Sequence, residues 1–454
     1  LIHLFSSCGC NLALDVGSGA LHALDTIAFE ALRLREQGYA DEDILSVLAV
    51  AHCHETVAEA LAELDELCAQ GLLDAPDDCP DVDKNAIGAG AGLVKAMCLH
   101  AAHDCNLRCA YCFADTGDFH LAERGLLSFE VGKAALDWLV ARSGSRRTLE
   151  VDFFGGEPLM NFAVVRRLVA YGRMLEEPRG KRFLFTLTTN GLALNDEIMD
   201  FINREMHNVV LSIDGRQEVH DRMRPTPNGG GSYGLVAPKA LELARRRGQK
   251  QYYVRGTYTA YNLDFGEDVL ALADAGFEQL SIEPVVADPA NPYALTPDMI
   301  PALEAEYERL ARLYLHRRAE GRWFNFFHFM VDLSGGPCLK KRLLGCGAGN
   351  EYVAVTPKGD IYPCHQFVGR EGFRMGSVLD GSFDAAMQRT FAANHVLSKP
   401  TCAGCWAKFL CSGGCAANAH AFHGNIGEPY ELECALQRKR LECAMAIWAV
   451  EKRR

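Results

Sequence analysis

The chain has 454 residues, 49% hydrophobic and 23% charged, an ordinary globular balance in a chain too long for one core, so two or three domains are expected. A formal charge of −13 with no long basic run excludes a nucleic-acid backbone as partner, because phosphate binding needs clustered Lys and Arg. No stretch reaches the roughly 18–20 apolar residues that span a bilayer, and the N-terminus lacks a signal-peptide layout, which predicts a cytoplasmic protein with no membrane partner.

Residues 1–85 begin with short alternating apolar runs, "NLALDV" and "ALHAL", separated by the turn residues "GSG". Helical periodicity follows in "TIAFEALRLREQ", "DEDILSVLAVAH" and "TVAEALAELDELCAQG", so the segment reads as a small winged-helix-like domain. The Pro, Gly and Asp of "DAPDDCPDVDKNAIGAGAG" mark a linker, taken as residues 86–97. Over residues 98–315, six strand-like runs alternate with amphipathic ones: "MCLHAAH", "LEVDFFGG", "RFLFTLTTNG", "NVVLSIDG", "QYYVRGTYT" and "QLSIEPVV". Six β–α repeats predict a curved parallel sheet with reactive groups at the strand C-termini. Residues 316–454 are loop-rich and rich in Cys and Gly, a composition in which bound metal is expected to replace part of an apolar core.

Eighteen cysteines are too many for packing alone, and their distribution is uneven: three lie between positions 105 and 112, eight between 338 and 434. In a reducing compartment, thiols clustered at short spacings bind metals more often than they form disulfides. "HDCNLRCAYCF" offers Cys105, Cys109 and Cys112 as C-x3-C-x2-C and no fourth ligand. On spacing alone this is a partial zinc site, a group of buried thiols, or three ligands of a four-iron cluster whose last iron stays open for chemistry. Of the other cysteines, Cys53, Cys68, Cys98 and Cys443 sit in apolar runs and are expected to act as small hydrophobes, while Cys8, Cys10 and Cys79 have no evident partner set.

With Tyr111 at its aromatic position, the loop resembles that of the radical S-adenosylmethionine enzymes. The resemblance implies a partial (β/α)6 barrel, in which the cofactor's methionyl group chelates the open iron and a 5′-deoxyadenosyl radical is released. It assigns Cys105, Cys109 and Cys112 to the catalytic cluster, and Tyr111, Phe113, Gly155, Gly156 and Glu157 of "FFGGEP", Ser212 of "LSIDG" and Arg224 of "HDRMRP" to the cofactor. Read alone, "GGEP" is equally a strand-ending turn, and Ser212 or Arg224 a surface residue. The tail, Cys338-x7-Cys346-x12-Gly359-x4-Cys364 and Cys402-x2-Cys405-x5-Cys411-x3-Cys415-x18-Cys434, resembles a SPASM domain. That implies two auxiliary [4Fe–4S] clusters, three in the whole chain. Cys338, Cys346, Cys364 and Cys415 would serve the inner one, with Cys338 as a displaceable ligand; Cys402, Cys405, Cys411 and Cys434 would serve the outer one.

The N-terminal segment resembles a RiPP recognition element, which captures a precursor's leader peptide by strand addition. Over the whole chain, runs such as "HDCNLRCAYCFADTGDF", "GCGAGNEYVAVTPKGDIYPCHQF" and "CWAKFLCSGGCAAN" look like the maturases of SCIFF peptides. Membership implies thioether formation between a substrate Cys sulfur and a carbon of another residue, typically Thr, with a reducing electron donor as second partner. The competing readings are a formylglycine-forming radical enzyme, an electron-transfer protein with three clusters, and a zinc-dependent binding module.

Overall fold

In the computed structural model, which describes residues 1–76, 92–121, 124–333 and 339–452, the chain opens with an antiparallel sheet. Its order is β1 (Ile2–Ser7), β2 (Cys10–Asp15), β3 (Leu21–Leu24), so β1 adds a strand to the two that alternation indicated. The β1–β2 hairpin closes on Cys8 and Gly9, both at positive φ (51° and 77°), as in a two-residue type I′ turn whose twist matches its strands. Three helices follow as their periodicity predicts: α1 (Thr26–Glu36), α2 (Asp41–Leu48) and α3 (His54–Ala69). They cover one face of the sheet through Leu32, Ile44, Leu61 and Leu64 around Ala13. The opposite face, with Phe5, Leu12, Leu14 and Val16, packs on Ala407 and on Leu441, Met445 and Ala446 of the C-terminal helix Glu431–Lys452. β2 is covered on both faces, hence its nearly unbroken apolar run.

The second sheet carries the six expected repeats. They comprise β4 (Ala96–His103) with the short antiparallel β5 (Gly125–Leu126), α4 (Phe129–Arg142), β6 (Thr148–Gly155), α5 (Phe162–Arg179), β7 (Arg182–Thr189), α6 (Asp196–Glu205) and β8 (Asn208–Ser212). Then come α7 (Gln217–Met223), α8 (Tyr233–Arg247), β9 (Tyr253–Tyr258), α9 (Phe265–Asp274), β10 (Gln279–Pro284) and α10 (Ile300–Ala319). The strands run parallel in the order β10-β9-β8-β7-β6-β4, giving a partial (β/α)6 barrel. β4 starts at Ala96, two residues inside the stretch read as linker. Outward positions such as Leu99, Val151, Phe153, Phe185, Leu187 and Val254 form the core beneath the helices. Inward positions are polar (Asp152, Thr186, Thr188, Ser212, Arg255, Thr257, Glu283), unlike the branched apolar filling of a closed barrel, so this interior is built to receive something.

The tail is more ordered than its composition suggested. β11 (Asn325–Phe326) joins β10, while β12 (Tyr352–Val355) pairs parallel with β4 and continues into β13 (Asp360–Tyr362) and β14 (Gly376–Ser377), so the Cys-rich region extends the barrel sheet. The 22-residue helix Glu431–Lys452 then packs along α10. Cys98 and Cys443 are buried as expected, but Cys53 and Cys68 are exposed: they sit at the two ends of α3, outside its buried Val57–Leu61–Leu64 stripe. Among the described residues no helix is long and apolar enough to cross a membrane.

Candidate active site

The three-cysteine loop leaves the C-terminus of β4 and is held mainly by backbone contacts. Arg108 N donates to Pro225 O at 2.8 Å and Ala110 N to Met223 O at 2.8 Å, which ties the loop to the end of α7. On its other side, Gly156 N donates to Ala102 O at 2.7 Å and Glu157 N to Asp104 O at 2.9 Å. A Cβ on Gly155 would fall 2.2 Å from Ala102 O, and one on Gly156 2.0 Å from Asp104 O. The glycines of "GGE" therefore let two backbones touch; their close approach is to the cysteine loop itself.

Burial pushes the thiol of Cys105 up to about 12 and that of Cys109 up to about 11, so a bound cation must displace their protons for either to act as a thiolate. No described cysteine is in a disulfide. A single tetrahedral zinc would hold its sulfurs about 3.8 Å apart. Among the described residues no three thiols lie within 4.8 Å of one another, a condition met only by His423, Glu428 and Glu431. The wider spacing fits a multi-iron cluster better than one ion.

Tyr111 and Arg224 share a buried partner absent from the expected set, Asp214. Tyr111 Oη donates to its two oxygens at 2.6 and 2.8 Å, Arg224 donates to both at 3.0 Å, and Thr257 N donates at 3.0 Å. The carboxylate is fully enclosed, and these five bonds and the paired charge are what make its burial tolerable. The Nη1 of Arg224 lies 4.0 Å from Cys109 Sγ, while its guanidinium sits 5.3 Å from the Tyr111 ring. Two of its three nitrogens are thus committed within the protein. Glu157 is likewise inward: its oxygens accept from Thr189 Oγ1 at 2.7 Å, Leu159 N at 3.0 Å and Asn190 N at 2.8 Å, and burial pushes its carboxyl up to about 7.

One cavity of about 270 Å³ is lined by all three thiols, Phe113, Gly155, Gly156, Ser212 and Arg224. Its wall also includes residues that the motifs did not single out: Asn190, whose Nδ2 lies 3.7 Å from Cys105 Sγ, and Arg255 and Glu283 on the barrel interior. The inward-pointing polar alternation of β9 and β10 was the signal for the last two. His365 and Gln366, next to Cys364, complete the wall from the tail side. Phe113 and Phe154 bridge the regions, with ring centroids 5.4 and 5.0 Å from His365.

The tail thiols form two interleaved sets. Cys364 feels both Cys415 and Cys346, and Gln366 Nε2 lies 4.0 Å from Cys415 Sγ. Cys434 feels Cys411 and Cys402, and Cys402 feels Cys405; a small cavity of about 40 Å³ is lined by all four. Burial pushes Cys364 and Cys434 up to about 12 and Cys415 up to about 11. Cys338 and Cys79 lie outside the described residues.

An open-ended thiol triplet above a partial parallel barrel, joined to a second cysteine-rich module, defines an iron–sulfur radical enzyme scaffold. Comparison with known proteins agrees: a 4Fe–4S single cluster domain matches residues 88–235 and the SPASM iron–sulfur cluster-binding domain matches residues 346–406. The cysteine-type anaerobic sulfatase-maturating enzyme of Clostridium novyi is 25% identical over 70% of this chain and 86% of its own. The mycofactocin maturase MftC of Mycolicibacterium smegmatis is 28% identical over 77% of this chain and 87% of its own. Among solved structures, native anSMEcpe with bound AdoMet superposes with a TM-score of 0.64 at 19% identity, over 78% of this chain and 99% of that one. Streptococcus suis SuiB bound to S-adenosylmethionine gives 0.52 at 15% identity, over 95% and 98%. The chain is a radical S-adenosylmethionine protein with a SPASM domain.

Proposed function

We propose that this protein installs an intramolecular thioether in a ribosomally made Cys-rich precursor peptide of the SCIFF type, joining a Cys sulfur to a carbon of an acceptor residue, typically Thr. The observation that carries this reading is the single cavity walled on one side by Cys105, Cys109 and Cys112 and on the other by His365 and Gln366, beside the inner auxiliary thiols. A peptide held there has its acceptor carbon near one iron–sulfur site and its sulfur near another. S-Adenosylmethionine on the reduced catalytic cluster supplies a 5′-deoxyadenosyl radical able to take hydrogen from an unactivated C–H.

The protein's own residues do the rest. Cys105, Cys109 and Cys112 hold three irons and leave the fourth free. Tyr111 and Arg224, locked on Asp214, keep the loop rigid, and the remaining guanidinium N–H of Arg224 faces Cys109 and the cavity. Ser212, Gly155, Gly156 and the Glu157 backbone line or support the cofactor's place, while Arg255 and Thr257 present donors to peptide carbonyls. Cys346, Cys364 and Cys415, with Cys338 as the exchangeable fourth, form the inner set; Cys402, Cys405, Cys411 and Cys434 form the outer one.

Residues 1–85 act as the leader-binding unit, 98–315 as the radical barrel and 316–454 as the two-cluster module. β1 and β2 pack against the C-terminal helix, so β3 is the edge to which a leader strand would add. The similarity to sulfatase maturases favours formylglycine formation as second reading. Anaerobic incubation with S-adenosylmethionine, a low-potential reductant and the small Cys-rich peptide encoded beside the gene decides between them. Both reactions remove two hydrogens, but only a thioether blocks thiol alkylation without creating an aldehyde. A reactive aldehyde in the product would reject the thioether.

A further inference from the structure

The outer and inner auxiliary thiols differ in the charge that surrounds them, and the difference centres on Lys399. Its side chain is 3% exposed, yet no carboxylate pairs with it. The Nζ donates to Gly413 O at 2.7 Å, which uses one of its three N–H donors. Around it run Ser412, Gly413 and Gly414 at φ 64°, 91° and 73°, three consecutive left-handed residues that fold the Cys411–Cys415 turn over the ammonium. A Cβ placed on Gly413 would stand 3.6 Å from Nζ.

An unpaired buried ammonium costs several kcal/mol unless something anionic faces it. The groups that face Lys399 are the sulfurs of Cys402, Cys411, Cys415 and Cys434, three from the outer set and one from the inner. Arg438 adds a second positive charge near Cys434. On the inner side the charge reverses: Glu433 acts on Cys415, and no cation acts on Cys364. Glu433 itself accepts from Asn418 Nδ2 at 3.0 Å, so it does not close on Lys399 as an ion pair. Reduction potentials of iron–sulfur clusters rise with positive charge and hydrogen bonds directed at their sulfurs.

We infer that Lys399 orders the two auxiliary clusters in potential, placing the outer one above the inner, so that one electron delivered to the inner cluster passes outward. The step is a single intramolecular electron transfer, the inner cluster oxidised by one electron and the outer reduced by one, with no proton moved. The inference rests on the assignment of these cysteines as ligands but not on the peptide chemistry. A role in potential needs no substrate to be observed.

The experiment is a redox titration of the reconstituted full chain, followed by electron paramagnetic resonance, comparing wild type, Lys399→Met and Lys399→Arg. Cys346→Ala identifies which signal belongs to the inner cluster. At the wild-type midpoint of the outer signal, Lys399→Met is expected to lower its reduced-to-oxidised ratio about tenfold, equivalent to about 59 mV for a one-electron couple. The inner signal should change less than threefold, and Lys399→Arg should keep the outer ratio within threefold. Equal shifts of both signals, or none in the outer one, overturn the inference. If Lys399→Met does not retain iron, Lys399→Gln is titrated in its place. Loss of the outer iron in both neutral variants makes Lys399 an assembly residue and overturns its role in potential. A count near four irons instead of about twelve in the wild type would remove the ligand assignment itself.

Discussion

The two cysteine-bearing regions present the same ligand to the same kind of metal but hold it in opposite ways. The loop at Cys105–Cys112 hangs from a continuous parallel sheet, pinned by Gly155, Gly156, Met223 and Pro225 through backbone contacts. The tail thiols at Cys402, Cys405 and Cys411 ride on helices of four residues joined by Gly turns, with small apolar clusters of their own. The first region is shaped before metal arrives; the second depends on metal for much of its shape. One fold thus combines a preorganised reactive centre with a metal-assembled extension.

Four measurements would break or sharpen that contrast. Replacing Cys105, Cys109 and Cys112 together by Ala should remove one cluster, lowering iron from about twelve to about eight per chain, and abolish 5′-deoxyadenosine release. Barrel melting should move by only a few degrees; persistent cofactor cleavage would reject the assignment. Stripping iron from the wild type should open residues 346–434 to limited proteolysis while 96–284 stays resistant, and equal cutting in both regions would erase the distinction.

Asp214→Asn strands the buried Arg224 guanidinium and should cost about 3–5 kcal/mol by denaturant unfolding, with Tyr111 losing its partner. A cost near zero would mean that the loop does not lean on this pair.

The smallest effect concerns Asp152, on the barrel interior, whose carboxyl burial pushes up to about 7 against Thr188 and Arg255. An acid raised from about 3.9 in the unfolded chain binds its proton more tightly when folded. Its contribution to stability is therefore full below pH 4 and is lost as pH rises to 7. Asp152→Asn should thus gain about 1–2 kcal/mol over wild type at pH 8 relative to pH 4, the loss of the Arg255 attraction setting the lower end. A difference independent of pH would show that the carboxyl titrates normally.

Much of this was legible in the residues. Six strand runs, three N-terminal helices and the grouping of cysteines follow from period-2 and period-3.6 patterning and from short spacings. Other features were not. Ile2–Ser7 carries no clean alternation because β1 meets different neighbours on its two faces. Glu433–Lys452 looked like part of an irregular tail because its apolar residues face several partners at once. Asp214, Asn190 and Arg255 belong to no spacing signature, since their partners lie 30 or more residues away along the chain; Arg224, 10 residues from Asp214, is the exception. "GGE" was recognised, but its reason was not: a Cβ clash with a backbone 50 residues earlier is invisible in one dimension.

By itself, the sequence determined what repeats locally: the strand and helix periods, the open thiol triplet and the two interleaved sets of tail cysteines. Each depends on residues a few positions apart, which covalent geometry keeps together. The tertiary structure alone decided that the triplet and the inner set face one cavity, that Glu157 and Arg224 turn partly inward, and that a lysine is buried between the auxiliary thiols. Those outcomes depend on how distant backbones pack and on which charges are forced out of water together, and only the folded chain fixes both.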